Sequence, residues 1–226
     1  MKRIFYAALL AVASLLAGIP AAAQHFTCDQ YETDAKRWQD IEQLFKRQGW
    51  SQWALAVKDA FPLNNDRSIQ YRYVLSSDVP CSQKRLTELV QKWITLEHPN
   101  VLPLPADQTV DLKVQTLWDN VAHSYRVFSA AYVSAKSETF VEFKENRLRI
   151  TVTVSRYVMG AANPFQVNSD TPLVGDCYPF DLNGKWKNVM AMAYINSNQK
   201  ALDQVASLLN YLNRHAAAPA KSDKDW

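Results

Sequence analysis

Hydrophobic residues recur at every third or fourth position in several segments, the spacing of a helix with one buried face. The clearest case runs from Ser82 to about Leu96. Its apolar stripe consists of Leu86, Leu89, Val90, Trp93 and Ile94. The same spacing predicts a final helix from Ser197 to Asn213 and two shorter helices between residues 30 and 61, divided at Gly49. Each helix therefore needs a neighbouring layer to cover its apolar face.

Other segments alternate apolar and polar residues, which is typical of a strand with one buried face. In the clearest of them, Leu148 to Val154, apolar residues alternate with Arg and Thr. A first strand at Ile69–Leu75 precedes the Ser82 helix, and four more follow that helix. These four are predicted at Val110–Thr116, Val121–Val133, Thr139–Phe143 and Leu148–Val154, with turns at Trp118–Asn120, Ala135–Ser137 and Lys144–Arg147.

This order of elements predicts an α+β protein. A sheet with one apolar face can cover both long helical stripes, so we expect a two-layer sandwich with the other sheet face open. The order β-α-β-β-β-β-α occupies residues 68–213. A helical segment at 24–67 precedes it, and a small, charged tail at 214–226 is predicted to be disordered.

The first 23 residues have the pattern of a secretory signal peptide. Lys2 and Arg3 precede an uncharged apolar run from Ile4 to Ile19, and small residues lead up to a cleavage site after Ala23. We therefore expect a mature chain that starts at Gln24 and is periplasmic or secreted. No second apolar stretch of membrane length follows in the sequence.

The net charge of the mature chain bears on whether its partner is a nucleic acid. The leader contains two of the 25 Lys and Arg residues and none of the 22 Asp and Glu residues, so the mature chain is nearly neutral. A nucleic-acid-binding domain usually has a strong basic excess. The balance therefore argues against a nucleic-acid partner.

Three cysteines remain after the leader, and an exported chain meets oxidising conditions. A disulfide between Cys81 and Cys177 is one expectation, and a bond between Cys28 and Cys177 is another. Three buried thiols are the third alternative, and the spacing does not choose among them.

The sequence contains no motif of nucleophilic, metal, nucleotide or dinucleotide chemistry, so we predict no catalytic residue, metal ligand or cofactor. A non-enzymatic binding or interaction module is the favoured function. The alternative is a carboxylate-dependent hydrolase that uses Asp170, Asp176 and Asp181. All three lie in the irregular segment 156–185, and a loop of this length is usually functional or disordered.

Four stretches of sequence carry a family resemblance. They are Tyr71–Leu75, Leu89–Ile94, Phe143–Ile150 and Tyr178–Phe180. Together they resemble a domain of unknown function that is common in exported proteins of Gram-negative gut-type bacteria and is described as having a TATA-binding-protein-like fold. The resemblance covers about residues 68–212, although Glu145-Asn146-Arg147 stands where the family pattern has a turn glycine. It implies no catalytic residues and, by itself, no DNA binding.

Four residues are candidates for a surface that meets a ligand or an unknown envelope partner. Arg147 and Arg149 belong to the polar side of the last strand, which faces away from the helices. Trp186 follows the long irregular segment and is a candidate for an exposed aromatic platform. Tyr178 lies within that segment, which is expected to be partly ordered as a packed cover by Phe165, Tyr178 and Phe180.

Overall fold

A computed structural model describes residues 26–99, 104–105, 111–126, 129–161, 171–183 and 186–216. Four helices and six strands make up these ranges. The helices are α1 (Asp29–Phe45), α2 (Trp50–Ala60), α3 (Gln83–Glu97) and α4 (Lys187–His215). The strands are β1 (Phe26–Thr27), β2 (Ile69–Ser77), β3 (Leu104–Pro105), β4 (Leu112–Arg126), β5 (Ser129–Lys144) and β6 (Arg147–Ala161). A single turn of 3₁₀ helix at Val174–Asp176 precedes α4.

The six strands form one antiparallel sheet in the order β1-β2-β6-β5-β4-β3. Strand β2 lies beside β6, although 69 residues separate the last residue of β2, Ser77, from the first residue of β6, Arg147. Alternate residues of β2, among them Tyr71, Tyr73 and Leu75, are buried. The residues between them lie on the opposite face of the sheet, because successive strand residues point to opposite sides.

Helices α1, α3 and α4 pack on the buried face of this sheet, and α2 packs on α1 and α4. Helix α4 contacts β2, β4, β5 and β6, and it also packs against α2 and α3. Its central residues are therefore buried on more than one side, including Tyr194, Ser197 and Asn198. The predicted two-layer α+β class, with one sheet face left open, is confirmed, and β2 to α4 follow the predicted order β-α-β-β-β-β-α.

The bounds of the strands differ from the prediction. Arg126 pairs with Ser129, so the chain reverses inside the segment that was predicted to be one strand at Val121–Val133. Strands β4 and β5 each continue through a segment that was predicted to be a turn. The number of strands after α3 is still four, as predicted, because the two-residue β3 precedes β4.

Two β-bulges lie at the segments that were wrongly predicted to be turns. The pairing of β4 with β5 shifts between Trp118 and Ala122, and Asn120 has a positive φ of 51°. The pairing of β5 with β6 shifts beside Lys136, which leaves Ser155 as an extra residue in β6. A bulge and a turn use the same polar residues and the same left-handed backbone, so local sequence does not separate them.

Local chemistry sets the ends of α3 and the adjacent hairpin. The Ser82 hydroxyl accepts the backbone N–H of Arg85 at the start of α3. At the tip of the β5–β6 hairpin, Asn146 has a φ of 59°, a conformation that Asn tolerates better than most residues. Its side-chain Oδ1 accepts the N–H of Cys81 at 2.7 Å, and its own N–H donates to the Cys81 carbonyl at 3.0 Å. Asn146 thus supplies what the expected turn glycine lacks, a side chain that ties the hairpin to the start of α3.

Candidate functional site

The open face of the sheet, which we call the outer face, is polar and mostly charged. It is formed by the residues that alternate with the buried ones, including Gln70, Arg72 and Val74 of β2. Arg149 of β6 lies between Val74 of β2 and Glu142 of β5 in the register, so these three side chains share one row. The neighbouring row contains Lys144 and Arg147, which are directly paired across the hairpin.

Part of this charge is neutralised by pairs across strands. Arg149 donates two hydrogen bonds to the Glu142 carboxylate. Further along the sheet, Lys113 Nζ lies 2.8 Å from Glu138 Oε2, and Gln115 donates to the same oxygen at 2.9 Å. The carboxylates of Glu142 and Glu138 are therefore each paired with a cation of the same sheet face.

The charge that remains on the hairpin end of the outer face is positive. The pKa of Glu142 lies below its usual range, first because Arg149 donates to its carboxylate, and also because Arg72 and Lys144 are close. Within the ranges that the structure describes, Arg72, Lys144 and Arg147 have no salt bridge. We call Arg72, Lys144, Arg147 and Arg149 the basic patch.

The basic patch borders a shallow concavity. Its volume is about 380 Å³. Three cations line it, Lys144, Arg147 and Arg149, together with two carboxylates, Asp111 and Glu142, so positive charge exceeds negative by one. The side chain of Val74, which is 47% exposed, is part of its apolar floor. Cations around a small apolar floor can contact both the charge and the carbon skeleton of an acidic ligand.

The two predicted aromatic residues are not part of this surface. Tyr178 is buried, its hydroxyl donates to the carbonyl of Ser51 in α2 at 2.8 Å, and Lys187 Nζ lies 5.0 Å from its ring centroid. Trp186 immediately precedes α4 and is 38% exposed. Both residues therefore belong to the helical side of the molecule, and the four predicted surface residues do not form one site.

The expected disulfide between Cys81 and Cys177 is not formed: all three cysteines of the chain are buried thiols. Cys81 bonds to the hairpin beyond one end of β2, while Gly175, near Cys177, bonds to Arg67 before the other end. A strand of nine residues spans about 26 Å, whereas a disulfide needs Cα atoms within about 7 Å. The length of β2 thus explains why this pair is not joined.

The carboxylates of the hydrolase alternative have other partners. Asp176 Oδ1 lies 2.7 Å from Nη1 of Arg67. Asp181 accepts the backbone N–H of Asn183 at 3.0 Å, which is the hydrogen bond of an Asx turn. Asp170 lies outside the described residues. The two described aspartates thus stabilise the local backbone.

The described ranges contain neither a metal centre nor a membrane-spanning helix. No group of three or more His, Cys, Asp and Glu side chains there is arranged to hold a metal ion. Among the described helices, none combines the length and the hydropathy that a bilayer span requires.

Sequence inspection missed Arg72 as a member of the basic patch. Its alternation with Tyr71 and Tyr73 does place it on the polar face of β2. Its proximity to Glu142 depends on the pairing of β2 with β6, two strands that are remote in sequence. The neighbouring Lys144 is visible from the sequence, because it lies in the same hairpin as Arg147.

Comparison with known proteins gives two solved structures of similar shape. One is a TBP-like protein from Parabacteroides distasonis, with a TM-score of 0.46 and 10% identity, matching 66% of this chain and 96% of that chain. The other is a DUF4468 family protein from Bacteroides ovatus, with a TM-score of 0.41 and 11% identity, matching 66% of this chain and 90% of that chain. No family model matches the chain, and no curated protein matches it.

Both TM-scores lie below 0.5, so these likenesses imply no function for this chain, whose architecture follows from its own strand order and register. One of the two structures is described as TBP-like, the term that the sequence resemblance implies. Membership of an exported bacterial family stays a prediction.

Proposed function

We propose that this chain is an exported, non-enzymatic binding module whose basic patch engages an acidic partner in the cell envelope. The observation that supports the proposal is the excess of positive charge on an otherwise self-neutralised outer face. Three cations, Arg72, Lys144 and Arg147, have no salt bridge in the described ranges, and the fourth shares Glu142 with them. An open sheet face of this kind offers a large, rigid surface for a partner.

The binding test uses a named probe, acetylated and amidated hexaglutamate, and measures its affinity by fluorescence anisotropy at several salt concentrations. Reversing two charges of the patch, in Lys144→Glu/Arg147→Glu, is expected to weaken binding by about tenfold or more, because both close attractions become repulsions. The affinity of the unaltered protein should fall as salt rises, since exposed charges are screened.

A matched control separates the patch from net charge. Lys36→Glu/Lys92→Glu makes the same charge change at two exposed lysines of α1 and α3, helices that lie on the opposite face of the sheet. This variant is expected to bind hexaglutamate within about twofold of the unaltered chain. Equal weakening by the two double variants would show that hexaglutamate responds to overall charge, and the proposal would be wrong.

Export is tested by the mass of the mature protein. We expect envelope fractions to yield a chain that begins at Gln24, because the basic start, the apolar run and the small residues before that position match a cleavable leader. Intact-mass spectrometry of the purified chain measures this directly. A mass that still includes the first 23 residues would contradict cleavage.

A further inference from the structure

The outer edge of β2 is covered by another strand only at one end. Strand β1 pairs with Ser76 and Ser77 and then gives way to α1. In the described part of the chain, no strand pairs with the edge from Ile69 to Val74. A strand edge of this kind presents unpaired backbone groups that can accept another strand.

The register shows which residues present those groups. The N–H of Ser77 donates to the carbonyl of Asn146 at 2.8 Å, and Ser76 is paired with Arg147, so Ser77 lies opposite Asn146. In an antiparallel pair, residues that exchange hydrogen bonds alternate with residues that do not. Odd-numbered residues of β2 therefore bond to β6, whereas Gln70, Arg72 and Val74 direct their backbone groups outward.

One of these three residues already has a partner. Burial raises the pKa of the Cys28 thiol, and hydrogen bonds from backbone N–H groups, including that of Val74, oppose this rise. The Cys28 thiol thus covers the edge at Val74. No hydrogen bond within the described ranges involves the outward N–H or C=O of Gln70 or Arg72.

These two residues line a cavity of about 200 Å³, which we call the edge slot. Its other walls come from α1, from the end of α2 and from α4, and include Asp34, Arg37 and Asn198. The walls are fixed by their own contacts: Tyr73 donates its hydroxyl to Asp34 at 2.8 Å, and Arg37 donates to the carbonyl of Ala60 at 3.3 Å. The edge slot is thus a preformed, polar recess beside an open strand edge.

We propose that the edge slot binds an extended acidic peptide segment, which adds a strand to β2 by pairing with Gln70 and Arg72. This inference rests on the proposed function, because it specifies how the acidic partner is held. In such a strand, the residue opposite Arg72 has its side chain on the outer face, beside Arg72 and the rest of the basic patch. An Asp or Glu at that position complements the patch, and its two neighbours face the polar recess.

The probe is the blocked peptide acetyl-Val-Thr-Glu-Thr-Val-amide. With Glu opposite Arg72, both valines lie on the outer face, one of them beside Val74, and both threonines face the edge slot. We expect amide signals of Gln70 and Arg72 to shift and saturate in ¹⁵N NMR titrations. Methylating the backbone nitrogen of the peptide's Glu removes one donor and is expected to weaken binding by about tenfold, without any change to the protein.

Two protein variants test the backbone contact. Gln70→Pro removes an outward N–H that takes no part in the β2–β6 ladder, a position where an edge strand accepts proline. It is expected to weaken peptide binding by about tenfold, whereas Gln70→Thr keeps the N–H and should bind within about twofold. If Gln70→Pro does not fold, the methylated peptide decides the same point on the unaltered protein.

The outcomes separate this inference from the proposed function. Peptide binding that is insensitive to both backbone changes, or shifts confined to Lys144 and Arg147, would overturn strand addition while leaving the acidic partner intact. Absence of any shift at Gln70 and Arg72 would overturn it as well. If hexaglutamate binding ignores the basic patch but the pentapeptide pairs with the edge, the proposed function is wrong and the edge slot stands as a site for extended peptides.

Discussion

Two buried aromatic side chains donate hydrogen bonds to partners from a remote part of the chain, the helix α4. Trp93 donates its ring N–H to the Ser207 hydroxyl at 3.1 Å, and the Tyr71 hydroxyl donates to Asn198 Oδ1 at 2.9 Å. A buried polar group without a partner costs free energy, so each pair fixes the position of α4 relative to the element opposite it. The helical stripe predicted that Trp93 is buried, and this is confirmed, since the residue is 1% exposed.

Replacing this residue tests its role in stability. Trp93→Ala removes a buried ring and leaves a cavity, so we expect the free energy of unfolding to fall by about 2 to 5 kcal/mol in denaturant titrations. Leu96→Ala is the control on the same helix, where the side chain is 68% exposed, and it should change stability by less than about 0.5 kcal/mol. Equal, small effects of the two changes would show that α3 does not pack as described.

Among the elements, the segment from residue 171 to residue 183 shows how an irregular stretch is ordered. Phe180 packs edge-on against Tyr194, with ring centroids 5.3 Å apart, and Tyr178 is buried between helices. Gly175 lies so close to Arg67 that a Cβ there would be 2.6 Å from the Arg67 Cβ. This segment is a packed cover, as predicted for Tyr178 and Phe180, while Phe165 lies outside the described residues.

Hydrogen exchange can measure how firmly this cover is held. We expect slow exchange at the amides of Gly175, Phe180 and Asp181, which donate to backbone carbonyls at 2.9 to 3.0 Å. Arg67→Ala removes both the ion pair with Asp176 and the hydrogen bond from the Arg67 guanidinium to the Gly175 carbonyl. It should speed exchange there by about fivefold or more, since a half-exposed pair contributes under about 1 kcal/mol and a hydrogen bond about 1 kcal/mol more.

Arg72→Ala is the comparison for that experiment, because it removes an arginine from the outer face and leaves the cover intact. Its exchange at Gly175 and Phe180 should match that of the unaltered chain. Exchange within seconds throughout 171–183 in the unaltered chain would contradict a packed cover and favour a segment that orders on binding.

At the scale of the whole molecule, the N-terminal helices share the core of the sheet. Phe26 and Asn213 exchange two hydrogen bonds, at 2.7 and 3.1 Å, although they lie 187 positions apart. Tyr194 of α4 donates to the carbonyl of Phe61 at the end of α2, at 2.9 Å. The segment 24–67, predicted as a separate stretch before the 68–213 domain, thus contacts that domain at both of its own ends.

We therefore expect thermal unfolding to be one cooperative transition, with coincident curves from far-ultraviolet circular dichroism and tryptophan fluorescence. A chain that starts at residue 68 should lose cooperative unfolding, because the inner side of Tyr71 and Tyr73 would face water. Cooperative melting of this shortened chain at the temperature of the full one would instead establish residue 68 as the start of an independent domain.

The sequence by itself determined the elements and the faces that they bury. Helical stripes and strand alternation depend on the spacing of neighbouring residues, so the α+β class and the polar side of Leu148–Val154 could be predicted. Only the tertiary structure decided the placement of β2 beside β6, the two bulges and the distance between Cys81 and Cys177. Each of these depends on which distant segments pair and in what register, and no local pattern encodes that choice. For the same reason, the sequence did not place Arg72 in the basic patch or Gln70 in the edge slot, because both assignments depend on the elements that lie beside β2.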